Sequence, residues 1–171
     1  LPILNRFDDA VDASRAALAA KPNLAELRLN FAHALLRAKK TNDAALELRA
    51  LAAERPRDPG LVLALARVEL GRGNTNEAIA GFLAATSLQP DNAETHFQLG
   101  LLLDRAKQKA EAQRHYREAL RLNPDSVRAL NAVAWSLATC EDEALRGGPE
   151  SVRLAERAAQ LTGSANAIIL D

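Results

Sequence analysis

The sequence has little of the chemistry on which most catalytic and structural metal sites depend. Its 171 residues include one cysteine, one tryptophan, no methionine and only 4% aromatic residues. A single cysteine, Cys140, excludes an internal disulfide framework and a zinc site built from several cysteines. It is compatible with a reducing compartment such as the cytoplasm. The missing methionine leads us to expect a piece of a longer protein.

Net charge and long apolar runs are missing as well. The 22 basic residues balance 22 acidic ones, so the chain lacks the positive excess that nucleic-acid grooves and anionic membrane surfaces require. No apolar run approaches the roughly 20 residues of a membrane-spanning helix. We therefore expect neither a nucleic-acid partner nor membrane insertion by this segment.

The residues that are present favour helices. Hydrophobic residues make up 48% of the chain and charged residues 26%, which is typical of a globular protein rather than a disordered one. Alanine and leucine dominate, and they are the strongest helix formers, while β-branched residues are sparse. The composition predicts an all-α fold.

Four prolines recur at intervals of 34 residues, at Pro22, Pro56, Pro90 and Pro124. Each closes a similar phrase, and these phrases read AALAAKP, RALAAERP, AATSLQP and EALRLNP. A second phrase, represented by TNDAAL and TNEAI, recurs upstream of the prolines at a matching spacing. A fixed period of this length indicates a repeat architecture.

Small and large residues alternate at fixed places within the period. Counting from the third residue after each proline, small residues recur at places 8, 20 and 27, and large ones at places 7 and 24. This pattern is typical of two antiparallel helices, because small residues let the helix axes approach to about 8–10 Å. The turns agree: Asp58 and Pro59 offer an N-cap followed by proline at the first helical position, and Ser126 can cap a later helix.

These residues resemble the tetratricopeptide repeat, a helix–turn–helix unit of about 34 residues. The resemblance covers the chain from about Phe7 to its end and implies an αα superhelix, a solenoid of antiparallel helix pairs. The chain departs from the family pattern at place 11 of the second repeat, which is Glu69 instead of the usual aromatic residue. At place 4, often tryptophan in the family, it reads Arg28, Val62, His96 and Leu130.

We expect one array over 1–171. Its predicted parts are the second helix of a partial repeat at 1–22, repeats 1 to 4 at 25–56, 59–90, 93–124 and 127–162, and the start of a truncated repeat at 164–171. Repeat 4 carries an extended loop at 140–149, and its phrases AWSLAT and SVRLAERAAQLTG resemble a long-loop variant common in bacterial proteins. Truncated repeats leave apolar surface uncovered, so the ends could join copies into a homo-oligomer.

No catalytic or cofactor motif stands out. The sequence contains no phosphate-binding glycine loop, no nucleophile elbow and no H-E-x-x-H zinc motif. Of the three histidines, His96 and His115 share a repeat and could form a metal or acid–base pair, but a third ligand is not evident. We expect packing or surface roles for them and for His33. The sequence predicts no enzyme activity, no cofactor and no metal.

The resemblance implies a concave groove lined by places 2, 5, 9 and 12 of the first helices, which form one helical face. The candidate peptide-binding residues on this face are Leu29, His33, Leu63, Arg67, Glu94, Phe97, Leu101, Asp104, Arg128, Asn131 and Trp135. Phe97 and Trp135 are the expected anchors, because aromatic residues carry a large share of binding energy. The alternative is that both aromatic residues belong to the core.

The leading hypothesis is a protein–protein interaction scaffold that binds a peptide or a partner helix in the groove. Two alternatives stay open: a non-catalytic region of a larger enzyme, such as a glycosyltransferase, and a self-assembly module. Neither the carboxylate clamp of co-chaperone members of the family nor the asparagine ladder of its protein-glycosylating members is present at the corresponding places.

Overall fold

The computed structural model describes residues 2–21, 24–139 and 148–163, and every regular element within these ranges is an α-helix. The prediction of an all-α fold is confirmed. The helices are α1 (Pro2–Ala20), α2 (Ala25–Arg37), α3 (Thr41–Glu54), α4 (Pro59–Gly71), α5 (Thr75–Leu88), α6 (Ala93–Arg105), α7 (Lys109–Leu122), α8 (Val127–Ala138) and α9 (Gly148–Thr162).

Local capping explains where the first helices of the repeats begin. The Asp58 carboxylate accepts hydrogen bonds from the backbone N–H groups of Gly60 and Leu61 at 3.0 and 3.2 Å. The Ser126 hydroxyl accepts one from the N–H of Ala129 at 3.3 Å. Both caps were expected from the sequence and are confirmed. The helices that start at the first residue of a predicted repeat are α2 at Ala25, α4 at Pro59, α6 at Ala93 and α8 at Val127.

The predicted ends of the array are described only in part. Helix α1 covers most of the range expected to be the second helix of a partial repeat. Helix α9 begins at Gly148, inside the range 140–149 that was predicted as loop. Residues 140–147 and 164–171 lie outside the described residues, and with them most of that loop and the truncated repeat. The division of the chain into one array stays a prediction.

The chain forms two compact units, an N-terminal unit at Leu1–Leu88 and a C-terminal unit at Gln89–Asp171. Within the N-terminal unit α2 packs on α3 and α4 on α5, and within the C-terminal unit α6 packs on α7 and α8 on α9. Between neighbouring pairs within a unit, α3 packs on α4 and α7 packs on α8. Within each pair of repeats 1 to 3, turns of three residues join the helices, which makes these partners antiparallel neighbours.

Small residues at place 8 lie at helix crossings, as the pattern predicts. In the N-terminal unit, a Cβ atom added to Gly81 of α5 would lie 2.7 Å from the Cβ and 3.3 Å from the Cα of Ala66, which is place 8 of α4. In the C-terminal unit, a Cβ added to Gly100, place 8 of α6, would lie 2.5 Å from Cδ1 of Tyr116. Neither crossing has room for another carbon atom.

The departures from tryptophan at place 4 are matched at place 23 on the partner helix. In repeat 1, Arg28 donates hydrogen bonds to the carboxylates of Glu47, at place 23, and of Glu54. In repeat 3, Nδ1 of His96 lies 3.0 Å from Nδ1 of His115, again at place 23. Places 4 and 23 therefore contact each other across the helix pair in both repeats, through an ion pair in repeat 1 and through two histidine rings in repeat 3.

Repeat 2 has small residues at both of these places, Val62 and Gly81. They line a cavity of about 240 Å³ in the N-terminal unit, together with Arg49, Ala66 and other residues of α3, α4 and α5.

The other departure, Glu69 at place 11, is a buried carboxylate with 3% of its surface exposed. Arg49 and Arg72 donate hydrogen bonds to it at 2.7 and 2.9 Å, and the Asn74 amide donates one at 2.6 Å. Burial alone would raise the pKa of Glu69, but the hydrogen bond from Asn74 and the charges of the two arginines outweigh burial and lower that pKa. A polar network thus replaces the aromatic packing usual in the family.

Candidate peptide-binding groove

The first helices of repeats 3 and 4 border a cavity of about 580 Å³ in the C-terminal unit. Its volume is within the range typical of ligand pockets. Six of the predicted groove residues line it, and these are Phe97, Leu101, Asp104, Arg128, Asn131 and Trp135. The first three lie on α6 and the others on α8, each set on one face of its helix.

Helix α9 supplies a further wall of the cavity that the sequence analysis missed. Ala155, Ala158, Ala159 and Thr162 line the cavity from this helix. Their spacing of i, i+3, i+4 and i+7 places small side chains along one helical face. That spacing is visible in the sequence and could have indicated the wall, but the family pattern directed attention to first helices only.

Trp135 is the exposed aromatic residue of the cavity. It lies on α8, and 54% of its surface is accessible to solvent although it lines the cavity wall. A tryptophan that filled space between repeats would be largely buried, so the alternative that placed it in the core is wrong. Tryptophan at such a position offers a large rigid surface and a free indole N–H to a ligand.

Phe97 does not match the expectation of an exposed anchor. Only 6% of its surface is accessible. The guanidinium carbon of Arg128 lies 4.3 Å from the centroid of its ring, and the Tyr116 ring packs against it at a centroid distance of 5.7 Å. Arg128 reaches over from α8 and covers the ring, so Phe97 forms part of the cavity wall and the prediction of an accessible anchor at this position is wrong.

Glu94 pairs with Arg128 beside the cavity. Nη1 of Arg128 lies 3.2 and 3.3 Å from the two carboxylate oxygens of Glu94, and the Gln98 amide donates a hydrogen bond to the same carboxylate at 2.8 Å. Both charged side chains are exposed, so the pair adds little stability. It does hold the guanidinium over Phe97, where a cation–π contact favours it.

Tyr116 is a neutral group in the cavity wall. Burial of its ring raises the pKa of Tyr116 to about 12, and the negative charge of Asp104 contributes in the same direction. The phenol therefore keeps its proton at neutral pH.

The remaining predicted groove residues lie in the N-terminal unit. Leu29 of α2 and Leu63 of α4 are half-buried, whereas His33 and Arg67 of the same helices are exposed. Leu29 packs against the apolar cluster that includes Leu48. The assignment of these four residues to a peptide-binding groove stays a prediction.

The histidine pair of repeat 3 is a hydrogen-bonded contact. Nε2 of His96 lies 3.1 Å from the carbonyl oxygen of Pro90, which can only accept, so Nε2 is the donor in this hydrogen bond. Burial and the neighbouring His96 lower the pKa of His115. Among the residues the structure describes, no group of three or more histidine, cysteine or acidic side chains could hold a metal ion.

No helix in the described ranges is long and apolar enough to cross a membrane.

Several solved structures resemble the whole chain in fold. A crystal structure of MamA has a TM-score of 0.79 at 22% identity over 92% of this chain and 89% of that chain. A MamA structure from Desulfovibrio magneticus RS-1 has a TM-score of 0.79 at 16% identity over 94% and 88%.

YrrB, described as a TPR protein with an unusual peptide-binding site, has a TM-score of 0.74 at 15% identity over 94% of this chain and 80% of that chain. At such identities these likenesses show that the chain has the fold of helical-repeat proteins. Among curated protein sequences, none is significantly similar to this chain.

Family models define the repeat class. Two models, both described as tetratricopeptide repeat, match residues 35–101 and 93–126. Together they span more than half of the chain, and they include three of the four recurring prolines, Pro56, Pro90 and Pro124. The chain belongs to the tetratricopeptide repeat family.

Proposed function

We propose that this chain is a non-catalytic protein-interaction scaffold whose C-terminal unit binds a peptide or a partner helix in the cavity between α6, α8 and α9. Membership of the tetratricopeptide repeat family supports an interaction role in general. The observation that carries the proposal is the exposed indole of Trp135 on the wall of a cavity of about 580 Å³.

The shape of the cavity suits an extended or helical peptide with a large apolar side chain. Trp135 lines it from α8, and the alanine face formed by Ala155, Ala158 and Ala159 lines it from α9. Small residues leave depth between the helices, and the indole provides the apolar surface on which an incoming side chain is desolvated. Leu101 adds an apolar side chain from α6 to the lining of the cavity.

The polar wall is already in place before a ligand arrives. Arg128 is held both by Glu94 and by the face of Phe97, so little side-chain freedom is lost there on binding. Less ordering on binding means that more of the contact energy contributes to affinity. The proposal needs no rearrangement of the described helices.

The test is selection of peptides from a phage-displayed library of twelve-residue random sequences on the immobilised chain. We expect enriched peptides that bind the wild-type chain, quench or shift the fluorescence of Trp135, and bind Trp135→Ala at least about tenfold more weakly, as for a central aromatic contact. The matched control is Val152→Ala, which truncates an exposed apolar residue of α9 that does not line the cavity. Enriched peptides that bind the Trp135 variant as well as the wild type would overturn the proposal.

A further inference from the structure

Three charged side chains line the groove of the C-terminal unit, and these are Asp104, Lys109 and Arg128. They are not equally available to a ligand. The charge of Arg128 is balanced by Glu94, which lies against its guanidinium with both oxygens, and one face of that guanidinium is occupied by the ring of Phe97. A second anion would have to compete with both contacts.

Lys109, the first residue of α7, also has an interaction partner already. Asp104 differs from both cations. It is exposed, and no residue in the described ranges forms an ion pair with it or donates a hydrogen bond to its carboxylate. The two cations that line the groove therefore already have interaction partners, whereas the carboxylate of Asp104 is open to a ligand.

The position of that carboxylate relates it to the apolar part of the groove. Asp104 lies at place 12 of α6, one helical turn beyond Leu101 on the same face, and both line the cavity with Trp135. Its negative charge acts on the buried phenol of Tyr116 in the same wall, so the field of the carboxylate extends into the groove. A lysine or arginine side chain can lay its apolar stem on such a surface and place its charged end at the carboxylate.

We infer that the groove selects a basic peptide, one that presents a lysine or arginine beside a large apolar side chain, and that Asp104 is the residue that determines this selectivity. The inference rests on the proposed function and specifies its ligand. Apolar contact with Trp135 and the alanine face of α9 provides most of the affinity, and the charge of Asp104 distinguishes one apolar peptide from another.

The experiment compares three acetylated and amidated hexapeptides of the pattern Gly-Leu-Xaa-Leu-Xaa-Gly, in which Xaa is lysine, glutamine or glutamate. Each is titrated into the chain at low salt, and Trp135 fluorescence reports binding. We expect the lysine peptide to bind about threefold to fivefold more tightly than the glutamine peptide, the ratio typical of one exposed charge pair. The glutamate peptide should bind most weakly, and added salt should reduce the differences.

The variant Asp104→Asn should remove the preference, so that the lysine and glutamine peptides bind alike while the affinity for the glutamine peptide stays as in the wild type. Asp91→Asn is the matched control, because it removes an exposed aspartate of the same unit that does not line the cavity. It should keep the wild-type preference. Thermal unfolding of both variants checks that each is folded.

The possible outcomes separate the two proposals. A preference for the glutamate peptide, or a lysine preference that persists in Asp104→Asn, would overturn the assignment of Asp104 and leave peptide binding intact. If no hexapeptide, the glutamine version included, changes the fluorescence of Trp135, the inference falls together with the groove on which it rests.

Discussion

The crossing of α4 and α5 allows a stability prediction in which two substitutions of the same kind have opposite effects. Gly81→Ala adds one carbon atom at a point 2.7 Å from the Cβ of Ala66 and 3.3 Å from its Cα. Carbon atoms attract at about 3.5–4.0 Å, so the helices must separate by several tenths of an ångström. The second atom belongs to the backbone, and no rotation of a side chain can relieve that contact.

The magnitude follows from two opposing contributions. Overpacking of a tight core costs about 1–3 kcal/mol, whereas replacing glycine by alanine inside a helix is favourable by about 1 kcal/mol. We therefore expect Gly81→Ala to lower the free energy of unfolding by up to about 2 kcal/mol. Gly71→Ala is the control: this glycine ends α4, has nothing within 4 Å of an added Cβ, and should stabilise the chain by about 0.4–1 kcal/mol.

Urea unfolding followed by circular dichroism measures both variants. A third variant, Ala66→Gly combined with Gly81→Ala, moves the methyl group from one helix to the other and removes the shortest contact. The free energy of unfolding of this double variant should be higher than the value expected from adding the effects of the two single substitutions. The difference should be about 0.5–3 kcal/mol, which is the coupling expected for residues in contact. If Gly81→Ala stabilises the chain as much as Gly71→Ala does, the helix crossing described above is wrong.

Three further predictions concern a turn, a buried charge and the groove. Lys107 has a φ of 62°, so Lys107→Gly should raise the free energy of unfolding by about 0.5–1 kcal/mol in urea; a loss would contradict the left-handed turn. Glu69→Gln should cost about 1–3 kcal/mol at pH 7. Because the pKa of Glu69 is lowered on folding from its ordinary 4.5, its stabilisation is complete above that value and lost as the pH falls through the folded pKa. Urea midpoints of the wild type and the variant should therefore converge in acid, and a constant gap down to pH 3 would contradict the network. Acrylamide should quench Trp135 readily, and an indole shielded from quencher would exclude it from the groove.

Helix type and helix starts could be predicted from the sequence because their causes are local. The Asp58 and Ser126 caps act within three residues of the backbone groups they satisfy, and the closing prolines recur at a fixed interval. The small residues at place 8 could also be interpreted from the sequence, because they lie at the helix crossing within a single repeat. Six residues that line the cavity of the C-terminal unit were selected by the same regularity, since they occupy one face of α6 and one face of α8.

The contacts across helix pairs could not be predicted in the same way. Reading place 4 by itself made Arg28 look like an isolated departure from tryptophan, whereas it is matched by Glu47, 19 residues further on. Comparing place 23 in parallel would have revealed this pair. Glu69 similarly looked out of place, because the arginines and the amide that hold it come from a preceding helix and a following turn.

Periodicity along the chain was enough to predict that the chain is helical and where the first helices of repeats 1 to 4 begin, because those properties depend on neighbours a few residues away. Accessibility within the groove was decided by packing. Phe97, at place 5 of repeat 3, and Trp135, at place 9 of repeat 4, lie on the same predicted face of consecutive first helices. Arg128 nevertheless covers Phe97, whereas Trp135 is exposed. The physical reason is that burial depends on which side chains other helices bring near, and that information is available only after the helices have packed.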